Sequence, residues 1–279
     1  NEAGLTLYLP LDQSAGKVVD NAVAGSVTVQ WRGLADVVPG AIVGRIDDAG
    51  QRNLYTFSLT QRTSMLFDAL NASDFGWTLT GPLGDVVAGR RFDGSDAGGF
   101  GSPTVLDLIA GDWTLTIDPP TDATGLYAFR LLDLATAIPV TQQAAADPAV
   151  TGRLDAAAAT QLYAFEAVEG DRVFFDLRSQ SGGTVYWRLI DPAGRQLFFR
   201  GFGDVAEMTL SVAGRYTLAI EGNAGNFGVV DYSFVVEARG NTPPVVVSDN
   251  DIAFAQLVSS TIAAAGEVDT YTFTLSEAK

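Results

Sequence analysis

The 279-residue chain contains no cysteine and no histidine. Without them it cannot form disulfides, thiolate or imidazole metal sites, a Cys–His nucleophile or a Ser–His–Asp triad. Lysine is also scarce, with only Lys17 and Lys279. The chain has 17 basic and 33 acidic residues, which gives a formal charge of −16. Nucleic acids and anionic membrane surfaces are therefore poor partners, whereas cations are compatible with this charge.

Long apolar runs and long helical periodicity are both missing. No run reaches the roughly 18 apolar residues that a membrane-spanning helix needs, so we expect no membrane insertion. The sequence does not begin with the charged and apolar segments of a signal peptide. The alanine-rich stretches Ala144–Ala146 and Ala156–Ala159 are too short to indicate stable helices.

A Tyr-x-Phe signature recurs at a fixed spacing of 108 residues, beginning at Tyr55, Tyr163 and Tyr271. The same distance separates Phe67–Asp68 from Phe175–Asp176. A fixed period with the same residue chemistry is typical of a duplicated structural unit. We therefore predict two complete units and the opening of a third.

Apolar residues alternate with polar ones along each unit, as in Tyr55, Phe57 and Leu59, which is the period of strands with one buried face. Gly81–Gly84 and Asp191–Gly194 place proline second and glycine fourth, a pattern typical of tight turns. Short strands between such turns predict an all-β protein built from β-sandwiches.

Three tryptophans also fit this pattern. Trp77 and Trp187 occupy equivalent places in the two units, and Trp113 is matched by Tyr216. Large residues that recur at equivalent positions are expected in a repeated core rather than at a sugar-binding surface.

The repeat also predicts the domain boundaries. We expect four segments: an N-terminal strand segment at residues 1–37, a first sandwich at 38–137, a second at 138–239, and a linker with the opening hairpin of an incomplete third unit at 240–279. The proline pair Pro243–Pro244 stiffens the linker and interrupts strand pairing.

The motifs follow the same order in both units: Gly-x-Leu/Ile-Asp, Tyr-x-Phe, Phe-Asp, Trp-x-Leu-x-x-Pro, Gly-x-Trp/Tyr-Thr-Leu and Tyr-x-Phe. This order resembles the bacterial pre-peptidase C-terminal (PPC) domains, especially their tandem arrays in large extracellular adhesin-like proteins. The resemblance implies jelly-roll-like sandwiches, secretion and, in some relatives, binding of calcium and of collagen or polysaccharide. It implies no catalytic residues. The segment Leu7–Asp12, with Gly16 and Asp20, is similar to the opening of a laminin-G or concanavalin-like domain.

Calcium is the candidate cofactor, because hard cations prefer carboxylate and carbonyl oxygens in glycine-bearing loops. Asp93 and Asp96 lie three residues apart in one such loop, and Asp249 and Asp251 flank an asparagine in another. Neither loop has the EF-hand spacing, and the alternative interpretation of both is a solvated acidic turn. For the repeated Asp68 and Asp176 we expect side-chain hydrogen bonds to a loop backbone rather than a metal.

An exposed ligand contact is predicted at Phe198, Phe199, Arg200 and Phe202. The first unit has Arg90-Arg91-Phe92 in this region, so the aromatic cluster is not imposed by the repeated core.

The favoured interpretation is a non-enzymatic structural or adhesive module of a larger protein, extracellular or at the cell surface. The alternative is a carbohydrate- or protein-binding accessory module of a secreted hydrolase. Expected partners are further copies of the chain or neighbouring repeats, and a polysaccharide or an extracellular protein. The orphan N-terminal strand, with Leu5, Leu7 and Leu9, and the third opening, with Tyr271 and Phe273, are expected to pair between molecules as a head-to-tail filament.

Overall fold

A computed structural model of the chain describes residues 38–71, 74–95 and 104–242, the two-residue strand at 16–17, and scattered positions between 252 and 273. Within these residues the protein is all-β, as predicted, and two single-turn 3₁₀ helices, Phe92–Gly94 and Leu134–Thr136, are the described helical elements. No helix among the described residues is both long enough and apolar enough to span a membrane.

The strands in the first half of the chain are β1 (Gly16–Lys17), β2 (Ile42–Ile46), β3 (Asn53–Leu59), β4 (Thr63–Ala69), β5 (Gly76–Gly81), β6 (Gly84–Arg91), β7 (Leu106–Leu108), β8 (Gly111–Asp118) and β9 (Gly125–Asp133). They form a five-stranded sheet in the order β1-β3-β8-β5-β6 and a four-stranded sheet in the order β2-β9-β4-β7. Side chains from both sheets meet in one core, so the two sheets are the layers of a sandwich.

The strands in the second half are β10 (Ile138–Pro139), β11 (Val150–Leu154), β12 (Thr160–Ala167), β13 (Asp171–Ser181), β14 (Val185–Ile190), β15 (Gln196–Gly201), β16 (Val205–Thr209), β17 (Gly214–Gly222) and β18 (Val230–Asn241). Their sheets have the orders β10-β12-β17-β14-β15 and β11-β18-β13-β16. Each strand therefore occupies the place of the strand nine earlier in the chain. One pairing differs, because β1 runs antiparallel to β3 whereas β10 runs parallel to β12.

The predicted turns and core positions are confirmed. Gly81 pairs with Gly84 across the first turn, and the amide of Gly194 donates to the carbonyl of Asp191 in the second. The three tryptophans of the repeat are buried in the cores: Trp77, Trp113 and Trp187. The alternation in the sequence thus identified which side chains face inward.

A tyrosine pair lies at the same place in each core. The hydroxyl groups of Tyr55 and Tyr127 are hydrogen-bonded in the first sandwich, and those of Tyr163 and Tyr232, 2.9 Å apart, are hydrogen-bonded in the second. The rings of each pair meet edge to face. Each hydroxyl thus finds a partner away from water, as buried polar groups require.

The two sandwiches pack face to face. The outer surface of the first four-stranded sheet covers the outer surface of the second five-stranded sheet, so β4 and β12 are buried on both sides. Leu66 from β4 meets Leu162 and Ala164 from β12 in the main apolar contact. Ala128 of β9 and Ala159 contribute to a second, smaller contact. The four sheets accordingly form a stack.

In the described part of the third unit's opening hairpin, the amide of Ile252 donates to the carbonyl of Thr272 at 2.8 Å. In the second sandwich the amide of Val140 donates to the carbonyl of Ala164, the residue 108 positions before Thr272, also at 2.8 Å. The third Tyr-x-Phe copy therefore makes the same first contact as the second copy.

Candidate functional site

Asp93, a predicted calcium ligand, lies exposed in the first 3₁₀ turn. Its Oδ1 accepts a hydrogen bond of 2.9 Å from Nε of Arg91, and this bond holds the pKa of the Asp93 carboxyl below its usual value. Arg91 also donates to Asp74 at 2.8 Å. The Asp93 carboxylate is thus engaged by a guanidinium, which competes with a cation for the same oxygens.

The other predicted ligands, Asp96, Asp249 and Asp251, lie outside the described residues. Within the described part of the chain, no group of three or more acidic side chains is arranged to hold a metal ion.

The predicted aromatic contact is divided, because Phe198 and Phe199 lie on opposite faces of β15 and Phe202 follows the end of that strand. Phe198 points inward and packs edge-on against Phe175 at 5.2 Å between ring centroids, and Phe202 is buried against Trp187. Adjacent residues of a strand point to opposite faces, so Phe198 and Phe199 cannot share one surface. The expectation of an exposed contact is therefore wrong for Phe202, whereas Phe198 is half-buried against the core.

Phe199 and Arg200 remain at the surface. The Phe199 ring is half-buried and stacks on Tyr186 at 5.1 Å with an interplanar angle of 16°. The guanidinium of Arg188 lies 4.8 Å from the centre of the Phe199 ring, within the range of a cation–π interaction. Arg200 is exposed on β15 opposite Trp187. The aromatic pair at this surface is therefore Tyr186 and Phe199, both of them half-buried.

The most elaborate polar cluster lies between the sandwiches. Asp68, on the outer face of β4, accepts a hydrogen bond of 2.5 Å from Nε of Arg130 on β9. The same guanidinium donates to the carbonyl of Thr160, and the Thr160 amide lies 3.4 Å from Asp68 Oδ2. Thr160 opens β12, so Asp68 and Arg130 bind the backbone of the neighbouring sandwich. Asp68 does hold a backbone, as expected, but that backbone is a strand of the other sandwich rather than a local loop.

A second ion pair lies beside the first on the covered face. Arg188 of β14 donates to both oxygens of Glu221 on β17, at 2.6 and 3.0 Å, and also to Gln196. The Arg188 and Glu221 side chains are only 1% and 3% exposed. Burial raises the pKa of the Glu221 carboxyl, and the charge of Asp68 acts in the same direction, whereas Arg188 lowers it.

These charged residues were not identified from the sequence, although a signal is visible in retrospect. Arg188 stands between Trp187 and Leu189, and Glu221 follows Leu218-Ala219-Ile220. A charged residue inside an apolar strand indicates a buried partner, because an unpaired buried charge is very costly.

An open cleft of about 330 Å³ lies at the edge of the same interface. Arg62 and Asp107 from the first sandwich face the Pro192–Gly194 turn of the second. Nε of Arg62 donates to Asp107 at 2.7 Å, so the charged groups of this cleft neutralise each other.

No family model and no curated protein matches the chain. Solved structures with partial similarity include the CUB1-EGF-CUB2 region of human MASP-1/3, at 11% identity over 69% of this chain and 99% of that one, with a TM-score of 0.20. The secreted serine protease VesC from Vibrio cholerae matches at 9% identity over 69% of this chain and 48% of that one, with a TM-score of 0.24. Scores this low identify no shared fold.

Proposed function

We propose that this chain is a non-enzymatic repeat module of a larger extracellular or cell-surface protein. In this proposal its jelly-roll-like, PPC-type sandwiches serve as stiff spacer units that present adhesive surfaces. The extracellular location and the PPC assignment follow from the resemblance of the repeated motifs. The observation that carries the spacer role is the covered sheet-to-sheet interface, with its buried ion pairs.

The physical reason is that a joint of this kind resists bending. Leu66, Leu162 and Ala164 bury apolar surface across the joint, and Arg130 bonds to the backbone of the second sandwich. Hinge motion would expose the apolar contact to water. It would also break the hydrogen bonds that Asp68 and Arg130 make to the second sandwich, so that these charged groups would be resolvated or would lack those partners. The two sandwiches should therefore move as one body.

Single-molecule Förster resonance energy transfer tests the spacer role. Because the chain has no native cysteine, dyes attach only at the cysteines that are introduced. Dyes on Leu83→Cys and Phe227→Cys, which replace side chains 89% and 93% exposed, report the distance between the sandwiches. We expect one narrow distance distribution that broadens when Leu162→Asp disrupts the interface. The control, Val168→Asp, changes an exposed residue of the second sandwich and should leave the distribution narrow. A broad distribution in the parent chain refutes the spacer role.

A binding role is the second candidate, favoured by the Tyr186–Phe199 stack. Paired aromatic faces at a protein surface suit stacking on a sugar ring or contact with an extracellular protein. Soluble polysaccharides and collagen are the probes. Phe199→Ala should weaken the binding of whichever probe the parent chain binds. Leu83→Ala provides an exposed control in the first sandwich. Equal binding by both variants, or no retention by the parent chain, excludes this aromatic pair as the contact.

A further inference from the structure

A small, partly open cavity lies within the interface between the sandwiches, with a volume of about 10 Å³. Its polar lining comes from both sides: Asp68, Ser95 and Thr104 from the first sandwich, and Thr160, Arg188 and Glu221 from the second. Leu66 and Leu132 close part of the wall. The cavity is therefore assembled only when the two sandwiches are docked.

One carboxylate oxygen in this lining has no hydrogen-bond partner among the described residues. Asp68 is 1% exposed, and its Oδ2 is bonded to Arg130, but its Oδ1 makes no hydrogen bond with any described residue. A buried acceptor without a donor costs about 1–3 kcal/mol, and more when it is charged. Such a group at a cavity wall indicates a small ligand that donates hydrogen bonds.

The charges around the cavity select the kind of ligand. The carboxylates of Asp68 and Glu221 are balanced by the guanidiniums of Arg130 and Arg188, so the cluster is neutral as a whole. A metal cation would add charge that nothing in this lining compensates, whereas a neutral donor adds none. The volume corresponds to about one water-sized sphere, and a buried water needs two to four polar partners.

We propose that this cavity is a binding site for a single ordered water molecule. The water donates one hydrogen bond to Asp68 Oδ1 and uses its remaining bonds on the polar groups of the second sandwich. It therefore completes the hydrogen bonding of Asp68 and links the two sandwiches through a fixed point. This site does not depend on the proposed spacer role, because it requires only the docked interface.

The first test is a high-resolution crystal structure of the intact chain, grown without divalent cations. We expect one density peak in the cavity at about 2.8 Å from Asp68 Oδ1, as for an ordinary O–H···O bond. An empty cavity overturns the proposal. So does a peak surrounded by five or more oxygens at about 2.4 Å, which is the signature of a bound cation.

Oxygen-17 magnetic relaxation dispersion provides the solution test, since it detects waters held for long residence times. Leu132→Phe places extra volume at the cavity wall and should remove one long-lived water from the parent signal. Asp176→Asn changes the repeat equivalent of Asp68, which is paired with Arg178 outside the cavity, and should retain it. If both variants give the same relaxation signal as the parent chain, no long-lived water occupies this site and the proposal is wrong.

Discussion

Gly152 lies directly against the ring of Tyr232. A β-carbon on Gly152 would sit 2.3 Å from the ring carbon that bears the hydroxyl, and 2.5 Å from the hydroxyl oxygen of Tyr163. In the first sandwich Gly44 stands in the same relation to Tyr127, with a clash distance of 2.2 Å. The tyrosine pair of each core thus requires a glycine on the neighbouring strand.

The first prediction follows from this contact. Gly152→Ala should destabilise the protein by about 1–3 kcal/mol, because the new methyl group displaces two rings that are hydrogen-bonded to each other. Gly201→Ala is the matched control, since a β-carbon there meets nothing within 4 Å. Denaturant unfolding of both variants makes the comparison. Equal stability would show that the tyrosine pair can move aside freely.

The buried tyrosines also predict how stability depends on pH. Burial raises the pKa of Tyr127 to about 12 and raises the pKa of Tyr163 and Tyr232. Because the folded pKa lies above the unfolded value of about 10, this contribution is complete below pH about 10 and is lost as the pH rises toward about 12. Unfolding free energies measured across this window should fall, and Tyr127→Phe should reduce the slope. A flat profile in the parent chain contradicts the prediction.

The Arg188–Glu221 pair should show strong coupling. Glu221→Leu alone leaves a buried guanidinium without its carboxylate and should cost about 3–5 kcal/mol of stability. The double variant Arg188→Met/Glu221→Leu should recover most of that loss, because both charges are removed together. Unfolding measurements on the two single variants and the double variant complete the cycle. Additive losses would mean that the two side chains do not act as a pair.

Calcium, if it binds as the Asp93 loop suggests, should raise the melting temperature in proportion to the logarithm of its concentration, since a ligand of the folded state stabilises it. Asp93→Asn combined with Asp96→Asn should abolish this shift. A shift that survives the double change places the ion elsewhere. Melting curves that coincide in millimolar calcium and in chelator remove calcium as a cofactor.

The ends of the chain provide the last prediction. Phe273 is 57% exposed and Tyr271 half-buried in the third opening, whereas Leu5, Leu7 and Leu9 lie outside the described residues. We expect the strand near Tyr271 to pair with the N-terminal strand of another molecule. Light scattering should then show concentration-dependent growth that is lost when residues 245–279 are removed. Monomers in both samples at high concentration refute head-to-tail assembly.

The sequence allowed the strands, the turns and the inward faces to be predicted, because alternation and turn chemistry are local. It also placed Tyr55 and Tyr163 at equivalent core positions. It could not show that Leu162 and Ala164, on the outward face of β12, would be covered by another sandwich. Alternation distinguishes two faces of a strand but not what lies beyond the outer one. The roles of Arg130, Arg188 and Glu221 depended on that missing information.

The shared face has a consequence for the order in which the protein forms. Leu162, Ala164 and Ala219 are shielded by the first sandwich, and that sandwich is complete at Asp133, before β12 begins. During synthesis from the N-terminus, the cover is therefore made before the surface that needs it. The second sandwich therefore forms in the presence of a folded first sandwich. If it were produced alone, it would expose an apolar sheet face that favours association with other molecules.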